Sequence, residues 1–419
     1  MIPHLLYADE KGELFEDPTF LMAVFDGTQV RVPREDEIIA LPEGSDVFYL
    51  PDRHPFAINP FSMGPELLVH HQAASAFLSP AFVRTLLPAY KKTDNTQALP
   101  LYAYAPIGGM DGRFYTTAIR IDPSERQNPV KFDLKRVRKM VRRMERRLPE
   151  NDLVKHLEHC ALIYQCRAAQ NFFLRREEAP LPTSPSCNAR CVGCLSEQKD
   201  SGFVASHNRI SIVPPAYDIA EVALTHIEHV DRPVVSFGQG CEGEPLLQTD
   251  RLIEAIRLIR KQTPRGTINI NTNASRPESV KKLCDAGLDS MRMTMNCADK
   301  NMFDLYFRGT DYSIEDVRKS GKIIKAYKGF LSVNLLVFPG LTDRKTQVEK
   351  LIDFLGDVGV DMIQWRNLNL DPDIYMETLG RDNFAAGMGI AKAIDMVKQA
   401  LPMIRFGYFN PYTGSRAGM

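Results

Sequence analysis

The fold of this chain is decided by residues 234–271, which read VVSFGQGCEGEPLLQTDRLIEAIRLIRKQTPRGTININ. Residues 234–237 and 267–271 are short strand candidates, the first mostly apolar and the second with isoleucines alternating with polar residues. Residues 249–262 predict a helix between them, because four apolar side chains recur at helical spacing: Leu252, Ile253, Ile256 and Ile259. A strand, a helix and a second strand in this order predict a βαβ unit with parallel strands.

The same alternation runs along the second half of the chain. Further strands are predicted at residues 290–295, 330–337 and 362–365. Further helices are predicted at residues 216–229, 277–286, 313–327 and 345–358. These units predict an α/β fold with a parallel sheet, either open or closed into a full or partial barrel. Chemically active residues are then expected in the loops that follow the carboxyl ends of the strands.

Residues 1–130 carry the patterns of strands and turns instead. The pair Asp26-Gly27 predicts a hairpin, because both residues tolerate the positive φ angles of a tight turn. A second hairpin is predicted over residues 101–121, around Gly108-Gly109 and Asp111-Gly112. A β-rich α+β domain is therefore expected in this part of the chain.

Residues 131–180 predict two helices, from 133 to 148 and from 152 to 176. The first helix has an apolar face and an opposite, basic face: Lys135, Arg136, Arg138, Lys139, Arg142, Arg143, Arg146 and Arg147. The basic face is either simply solvated or a site for an anion, RNA or an acidic partner, so nucleic acid is not excluded. The whole chain has 52 Lys+Arg and 52 Asp+Glu, so net charge does not draw it towards nucleic acid or anionic membranes.

The sequence has none of the markers of a membrane or secreted protein. It contains no apolar stretch of the roughly 18 residues that a membrane-spanning helix needs. Its first residues lack the basic region and the long apolar stretch of a secretory signal. We therefore expect a cytoplasmic protein without a membrane partner.

Three of the eight cysteines, Cys187, Cys191 and Cys194, lie within eight residues. In a reducing compartment, clustered thiols are more often metal ligands or redox centres than disulfides. Three ligands fit an iron–sulfur cluster or an incomplete zinc site, for which His207 or Cys160 is the nearest fourth ligand in sequence. A four-iron cluster held by three cysteines leaves one iron free for a small molecule.

The Cys-x3-Cys-x2-Cys pattern, followed by Glu242-Gly243-Glu244-Pro245 after the strand at 234–237, resembles the signature of the radical S-adenosylmethionine (radical SAM) superfamily. The resemblance covers roughly half of the chain and implies a partial (β/α)6 TIM-like barrel. Two positions depart from the family pattern: Gly193, where an aromatic residue is common, and Glu242, where the family has glycine. The expected division is residues 1–130, an N-terminal β-rich α+β accessory domain; 131–180, a basic helical linker; 181–375, the barrel; and 376–419, a C-terminal helix and tail.

The resemblance also implies cofactors and the residues that bind them. Cys187, Cys191 and Cys194 are expected to hold a [4Fe–4S] cluster whose fourth iron is chelated by S-adenosylmethionine. Gly243 and Glu244 are expected at the methionine amino group of this cofactor, because a carboxylate suits an ammonium and glycine permits close approach. Further cofactor-binding residues are expected along the later strands: Asn271, Asn273, Arg292, Thr294, Asn296, Asn334 and Asn367.

The function implied by the resemblance is reductive cleavage of S-adenosylmethionine to a 5′-deoxyadenosyl radical, which abstracts hydrogen from an unknown substrate. The substrate is a small molecule or a peptide, and the electron donor a protein such as flavodoxin or ferredoxin. The alternative is a non-catalytic zinc- or iron–sulfur-binding module with a regulatory or interaction role.

Several further residues carry weaker expectations. Cys160, Cys166 and Cys241 are expected to be packed, inert thiols, with the first two on one helix, although a functional role for any of them remains open. Arg366 is expected to face the cavity and bind an anionic substrate, because neighbouring residues on a strand point to opposite faces. Glu242 is either a cavity acid or a surface residue. Residues 405–419 close the open side of the barrel, reach another subunit or form a loose end.

Overall fold

The structure, a computed structural model, describes residues 1–94, 96–196 and 205–414. Its first 120 residues form short strands: β1 (His4–Ala8), β2 (Leu14–Met22), β3 (Val24–Phe25), β4 (Val30–Arg31), β5 (Ile38–Ala40), β6 (Asp46–Leu50), β7 (Arg53–Ile58), β8 (Pro65–Leu67), β9 (Gln72–Phe77), β10 (Phe82–Arg84), β11 (Leu87–Pro88), β12 (Tyr90–Lys92), β13 (Ile107–Met110) and β14 (Arg113–Arg120). β10, β14, β13, β1, β2, β7 and β12 lie side by side in an antiparallel sheet, to which β5, β6, β8 and β9 are attached. β11, β3 and β4 form a separate small sheet.

Both predicted hairpins are confirmed. β3 and β4 pair across the turn that contains Asp26 and Gly27. β13 and β14 pair around Asp111 and Gly112, which both have positive φ angles. Gly108 and Gly109 lie within β13 rather than in the turn. In the strand, a Cβ atom on Gly108 would lie 2.8 Å from the carbonyl oxygen of His4.

Three helices connect the antiparallel sheets to the rest of the chain: α1 (Leu134–Arg147), α2 (Asp152–Leu162) and α3 (Arg167–Leu174). The single helix predicted for residues 152–176 is therefore wrong. The chain breaks after α2 at Gln165, which has a φ of 50°, and the N–H of Cys166 donates to the carbonyl of Cys160 at 2.9 Å. Cys160 and Cys166 consequently belong to different helices, and the basic face of α1 remains largely exposed.

The second half of the chain is a parallel sheet, curled into a half-barrel, with strands and helices in alternation. Its strands are β15 (Glu178–Pro180), β16 (Val234–Phe237), β17 (Thr267–Thr272), β18 (Ser290–Met295), β19 (Phe330–Val337), β20 (Met362–Asn367) and β21 (Arg405–Gly407). Its helices are α4 (Ala216–His229), α5 (Thr249–Gln262), α6 (Pro277–Ala286), α7 (Lys300–Phe307), α8 (Ile314–Ala326), α9 (Lys345–Val358), α10 (Pro372–Leu379) and α11 (Ile390–Ala400). The strands follow one another in chain order, which confirms the parallel α/β prediction.

The C-terminal segment is part of the sheet. β21 pairs in parallel with β20, and beyond it the side chain of Asn410 is buried inside the half-barrel. The Asn410 amide donates to Glu178 of β15 at 2.8 Å and accepts from Gln364 of β20 at 3.0 Å. The loose-end alternative is therefore wrong for residues 405–414, because this segment bridges the first and sixth strands.

One apolar core joins α1–α3 to the half-barrel, with buried side chains contributed by both parts: Val137, Val141, Leu153, Leu157, Phe172, Ile219, Val222 and Val235. Buried arginines connect the antiparallel sheet to the same unit. Arg53 forms an ion pair with Asp371 at 2.7 Å, and Arg84 donates to the carbonyl of Leu368 at 3.1 Å. None of the helices in the described ranges has the length and apolar character needed to cross a membrane.

Candidate active site

The segment that carries Cys187, Cys191 and Cys194 (the cysteine loop, residues 184–194) follows β15 and rests on the end of α7. The N–H groups of Arg190 and Val192 donate at 3.0 Å to the carbonyls of Phe307 and Tyr306, respectively. The last carbonyls of a helix have no partner within the helix, so these bonds satisfy both elements. The loop backbone is therefore held in place by a neighbouring helix.

Asn188 connects the cysteine loop to the end of β17. Its amide nitrogen donates to Asp311 at 2.8 Å and to Ser275 at 3.0 Å, and its oxygen accepts from Asn273 at 2.9 Å. Asn188 is buried, so these bonds are shielded from water. The sequence alone does not reveal these contacts, because the three partners of Asn188 lie 85 to 123 residues away.

The segment after β16 that contains Gly243 and Glu244 (the acid loop, residues 238–245) lies directly against the cysteine loop. The N–H of Gly243 donates to the carbonyl of Ser184 at 2.6 Å, and the N–H of Glu244 donates to that of Ser186 at 2.8 Å. A Cβ atom on Gly243 would lie 1.9 Å from the Ser186 oxygen. Glycine is therefore required at this position by close backbone approach.

Glu244 is buried, and its carboxylate accepts three hydrogen bonds. The N–H of Asn273 donates to it at 2.8 Å, the N–H of Leu246 at 3.0 Å, and the hydroxyl of Thr272 donates to the same oxygen as Leu246. Burial raises the pKa of Glu244 to about 7, against the lowering effect of these bonds. A carboxylate has about four lone-pair sites, so one acceptor position remains for a donor on a ligand.

Glu242 is a buried carboxylate that links the two loops. One of its oxygens accepts from the N–H groups of Thr183 and Ser184 at 2.8 and 2.9 Å, and the other from those of Gly238 and Gln239 at 2.7 and 2.8 Å. Burial raises the pKa of Glu242 to about 7. The surface alternative for Glu242 is wrong, since its exposed fraction is 4%. The position at which the family has glycine here carries a side chain that fixes the backbone.

The three loop cysteines are partly buried. Burial, followed by the nearby Glu244 carboxylate, raises the pKa of Cys187 to about 12. The pKa of Cys191 is raised well above its usual value by burial and then by its neighbours Cys194 and Cys187. The thiols thus influence one another, yet among the described residues they do not form a group whose ligand atoms all lie within 4.8 Å.

Gly193, where the family often has an aromatic residue, lies next to a buried tyrosine. A Cβ atom on Gly193 would be 3.0 Å from the hydroxyl oxygen of Tyr306 and 3.3 Å from the carbonyl oxygen of Asn369. Tyr306 therefore occupies the space next to the cysteine loop that a side chain at position 193 would enter.

Three of the predicted residues on the middle strands, Asn271, Arg292 and Asn334, line one cavity. Asn271 uses its amide nitrogen to hold the carbonyls of Phe237 and Gly238, both at 3.0 Å. The amide of Asn334 donates to the hydroxyl of Thr294 at 3.2 Å, whereas its oxygen is buried with no partner among the described residues. Asn334 can therefore offer its oxygen to a ligand, whereas the polar atoms of Asn271 are bonded to protein groups.

Arg292 is a half-buried cation in the same cavity. It donates to Gln364 at 3.2 Å, and its Nε has no hydrogen-bond partner in the described part of the chain. Burial, and then the nearby Arg366 guanidinium, lowers the pKa of Arg292 to about 9. Two arginines that face one cavity favour an anionic ligand, because such a ligand relieves both desolvation and repulsion.

Asn296 and Asn367 are engaged mainly with protein groups. Asn296 donates to the carbonyl of Met302 and the hydroxyl of Tyr375, both at 3.2 Å. Asn367 donates to the carbonyl of Phe82 at 3.0 Å and accepts from the N–H of Arg84 at 2.9 Å, which ties β20 to β10. Asn367 still lines the cavity, but its amide positions the antiparallel sheet rather than pointing freely into the space.

The cavity has a volume of 420 Å³ and lies between the half-barrel, α2 and the C-terminal segment. Arg366 lines it, whereas Trp365 is fully buried in the core, so these neighbours do point to opposite sides. The Arg366 guanidinium lies 4.2 Å from the ring centroid of Tyr408 and donates to the Tyr408 carbonyl at 2.6 Å. The C-terminal segment thereby orients a cation that the sequence alone placed in the cavity.

Cys160 and Cys241, expected to be packed thiols, are buried but come together with His156. The Nε2 atom of His156 lies 3.5 Å from each of the two sulfur atoms. The hydrogen bond with Cys241 lowers the pKa of Cys160 to about 5, and the pKa of Cys241 is correspondingly raised. Sequence analysis missed His156, although its spacing of four residues from Cys160 places both on one helix face.

The comparisons with known proteins match the half-barrel. Residues 181–355 match the family model of the Radical SAM superfamily. The chain is 24% identical over 226 residues to the FeMo cofactor biosynthesis protein NifB of Azotobacter vinelandii, covering 50% of this chain and 43% of that protein. It is 27% identical over 183 residues to NifB of Klebsiella pneumoniae, covering 39% and 37%. The solved structure of methylornithine synthase matches with a TM-score of 0.39 and 14% identity, covering 58% of this chain and 68% of that one.

The family model and the two NifB relatives assign the class of the half-barrel. Residues 181–355 carry a domain of the Radical SAM superfamily, which indicates an enzyme, so the non-catalytic alternative is not retained. The family implies a [4Fe–4S] cluster and S-adenosylmethionine as cofactors. The chain spans less than half the length of the curated relatives it matches.

Proposed function

We propose that the chain binds a [4Fe–4S] cluster through Cys187, Cys191 and Cys194 and binds S-adenosylmethionine beside it. When bound, these groups supply reductive cleavage of the C5′–S bond, and the resulting 5′-deoxyadenosyl radical takes a hydrogen atom from the substrate. The electron comes from a small redox protein of the flavodoxin or ferredoxin type. The observation that carries this proposal is the backbone pairing of the cysteine loop with the acid loop, which keeps Glu244 next to the thiols.

The spacing of the three thiols supports a cluster rather than a single zinc ion. Thiolates around one tetrahedral zinc are separated by ~3.8 Å, as follows from Zn–S bonds of ~2.3 Å. The loop thiols are not all within 4.8 Å of one another, whereas a multi-iron cluster receives each thiolate on a different iron and needs wider spacing. Deprotonation of thiols with raised pKa values is then favoured by the charge of the bound metal.

The polar residues around the cysteine loop have separate roles in this proposal. The free acceptor position of Glu244 receives the ammonium of the methionine moiety, and Gly243 leaves room for it. Arg292, Thr294 and Asn334 bind the carboxylate and the ribose, because their polar groups include two buried atoms that have no hydrogen-bond partner among the described residues.

The remaining predicted residues act mainly on the shape of the site. Asn271 and Asn273 hold the loops after β16 and β17. Asn296 and Asn367 position the walls, since their amides are bonded to protein groups. The resulting cavity excludes bulk water from the reacting region.

The substrate that best suits the cavity is an anionic small molecule or a peptide with an anionic group. Arg366 faces the cavity, and Tyr408 holds its guanidinium in place. The guanidinium is therefore preorganised to bind a carboxylate or phosphate. Arg292 adds a second positive charge.

The test is anaerobic reconstitution of the full chain, followed by analysis of iron, sulfide and 5′-deoxyadenosine formed from S-adenosylmethionine and dithionite. We expect about four irons and four sulfides per chain, as for one cluster. Alanine at Cys187, Cys191 or Cys194 should abolish both the cluster and cofactor cleavage, whereas Cys284→Ala, a buried thiol on α6, should retain them. Zinc without sulfide, or cleavage that survives the loop substitutions, would contradict the proposal.

A further inference from the structure

We propose that His156, Cys160 and Cys241 form a second metal site for a single thiophilic divalent cation of the Zn²⁺ or Fe²⁺ type. Two thiols and one imidazole are a donor set that such ions prefer. The site is separate from the cysteine loop and does not depend on the cluster.

The distances fit one tetrahedral ion. With bond lengths of ~2.3 Å to sulfur and ~2.0 Å to nitrogen, neighbouring S and N ligand atoms lie ~3.5 Å apart. The Nε2 atom of His156 is 3.5 Å from the sulfur of Cys160 and 3.5 Å from that of Cys241. All three ligand atoms lie within 4.8 Å of one another. This group is therefore compact where the cysteine loop is wide, which favours a single ion over an iron–sulfur cluster.

The ligands are held on well-fixed elements. His156 and Cys160 are one turn apart on α2, whose N-terminus is capped by the side chain of Asn151. The carbonyl of Cys241 accepts from the N–H of Ile210 at 2.8 Å, and the neighbouring Glu242 carboxylate fixes the backbone of the acid loop. Both thiols are buried. Little rearrangement is needed for binding, which is the requirement for a tight site.

The fourth coordination position opens to the cavity described above. Cys160 and Cys241 line that cavity together with His207, Arg292 and Arg366. The Nδ1 atom of His207 is buried without a hydrogen-bond partner among the described residues, so it can bond to a group at the open position. Three protein ligands and one open position are typical of metal sites that bind a substrate atom. If the proposed radical reaction takes place in this cavity, the ion is placed to hold a carboxylate, thiolate or water of the substrate complex.

The test uses zinc K-edge X-ray absorption, which detects zinc separately from the iron of the cluster. The full chain, reconstituted anaerobically with iron and sulfide, is loaded with Zn²⁺. We expect one zinc per chain with two sulfur ligands and the remainder nitrogen or oxygen. The same spectrum is expected when Cys187, Cys191 and Cys194 are all replaced by alanine, provided that circular dichroism shows a folded chain.

The proposed ligands are tested by substitution both in the parent chain and in the chain with alanine at Cys187, Cys191 and Cys194. Cys160→Ser combined with Cys241→Ser should weaken zinc binding by more than ~100-fold, the upper range for residues that only position a ligand. Cys166→Ser is the matched control, because this thiol lines the same cavity outside the proposed donor set, and it should leave zinc affinity unchanged.

Three results would overturn the inference: no stoichiometric zinc in the folded triple-alanine chain, three sulfur ligands in the reconstituted chain, or zinc affinity unaffected by the double serine substitution. A Cys160–Cys241 disulfide found by mass spectrometry after anaerobic purification, with no zinc uptake, would also overturn it. Failure of cofactor cleavage would leave all of these readouts intact, so the inference and the proposed function can fail separately.

Discussion

The substitution Gly243→Ala tests the contact between the cysteine loop and the acid loop. The added Cβ would lie 1.9 Å from the oxygen of Ser186 and 2.4 Å from its carbonyl carbon, so the two backbones must separate. This separation breaks the bonds from the N–H of Gly243 to Ser184 and from the N–H of Glu244 to Ser186. Each bond contributes about 1 kcal/mol, and crowding in a packed site costs about 1–3 kcal/mol.

The closed arrangement of the loops should therefore lose about 3–5 kcal/mol in Gly243→Ala. If S-adenosylmethionine binds only to that arrangement, its affinity should fall at least ~100-fold, since 1.4 kcal/mol corresponds to a factor of ten. The assay is equilibrium binding of S-adenosylmethionine to the anaerobically reconstituted chain, with iron content measured on the same samples.

Gly240→Ala is the matched control in the same loop. Gly240 is exposed, and a Cβ atom there would have no atom of the described residues within 4 Å. The Gly240→Ala variant should therefore bind S-adenosylmethionine with the affinity of the parent chain. Equal affinities for Gly243→Ala and Gly240→Ala would refute the role assigned to the close approach of the two loops.

Two further predictions concern stability and do not depend on the cofactors. Burial lowers the pKa of His226 from 6.5 to about 4, so its contribution to stability is present above pH 6.5 and is lost as pH falls towards 4. The free energy of unfolding, measured by urea titration, should fall by about 3 kcal/mol less between pH 6.5 and pH 4 in His226→Gln than in the parent chain. The same pH dependence in both proteins would contradict the role of His226. Arg53→Met leaves Asp371 buried without its ion-pair partner and should cost about 3–5 kcal/mol. Arg251→Met, at an exposed ion pair, should change the free energy of unfolding by less than about 0.5 kcal/mol, and equal losses in the two variants would refute this difference.

Most of the half-barrel could be predicted because its signals are local. Residues 249–262 carry their own apolar stripe, and α5 has these same bounds. β21 (Arg405–Gly407) was missed, since a three-residue strand has too few positions to show alternation and depends on pairing with the distant β20. The break between α2 and α3 was also missed, because residues 163–166 contain neither glycine nor proline.

The residues of the candidate site were likewise predictable only where their sequence signal is local. Glu244 and the three loop cysteines stand in contiguous motifs, so the sequence was enough to select them. The structural role of Glu242 could not be predicted, because its donors lie on two separate loops. Asn410 was missed because its partners come from other elements, and His156 was missed because only the folded chain adds Cys241 to the local pair of His156 and Cys160.

The central claim is that the three-cysteine site leaves one iron open to S-adenosylmethionine next to Glu244. The most direct measurement is electron–nuclear double resonance on the reduced, reconstituted chain with S-adenosylmethionine that carries ¹⁵N in the methionine amino group. We predict a ¹⁵N coupling to the cluster that is absent with unlabelled cofactor and is weakened or lost in Glu244→Gln. A reduced cluster signal without ¹⁵N coupling, at cofactor concentrations that saturate binding, would contradict the account.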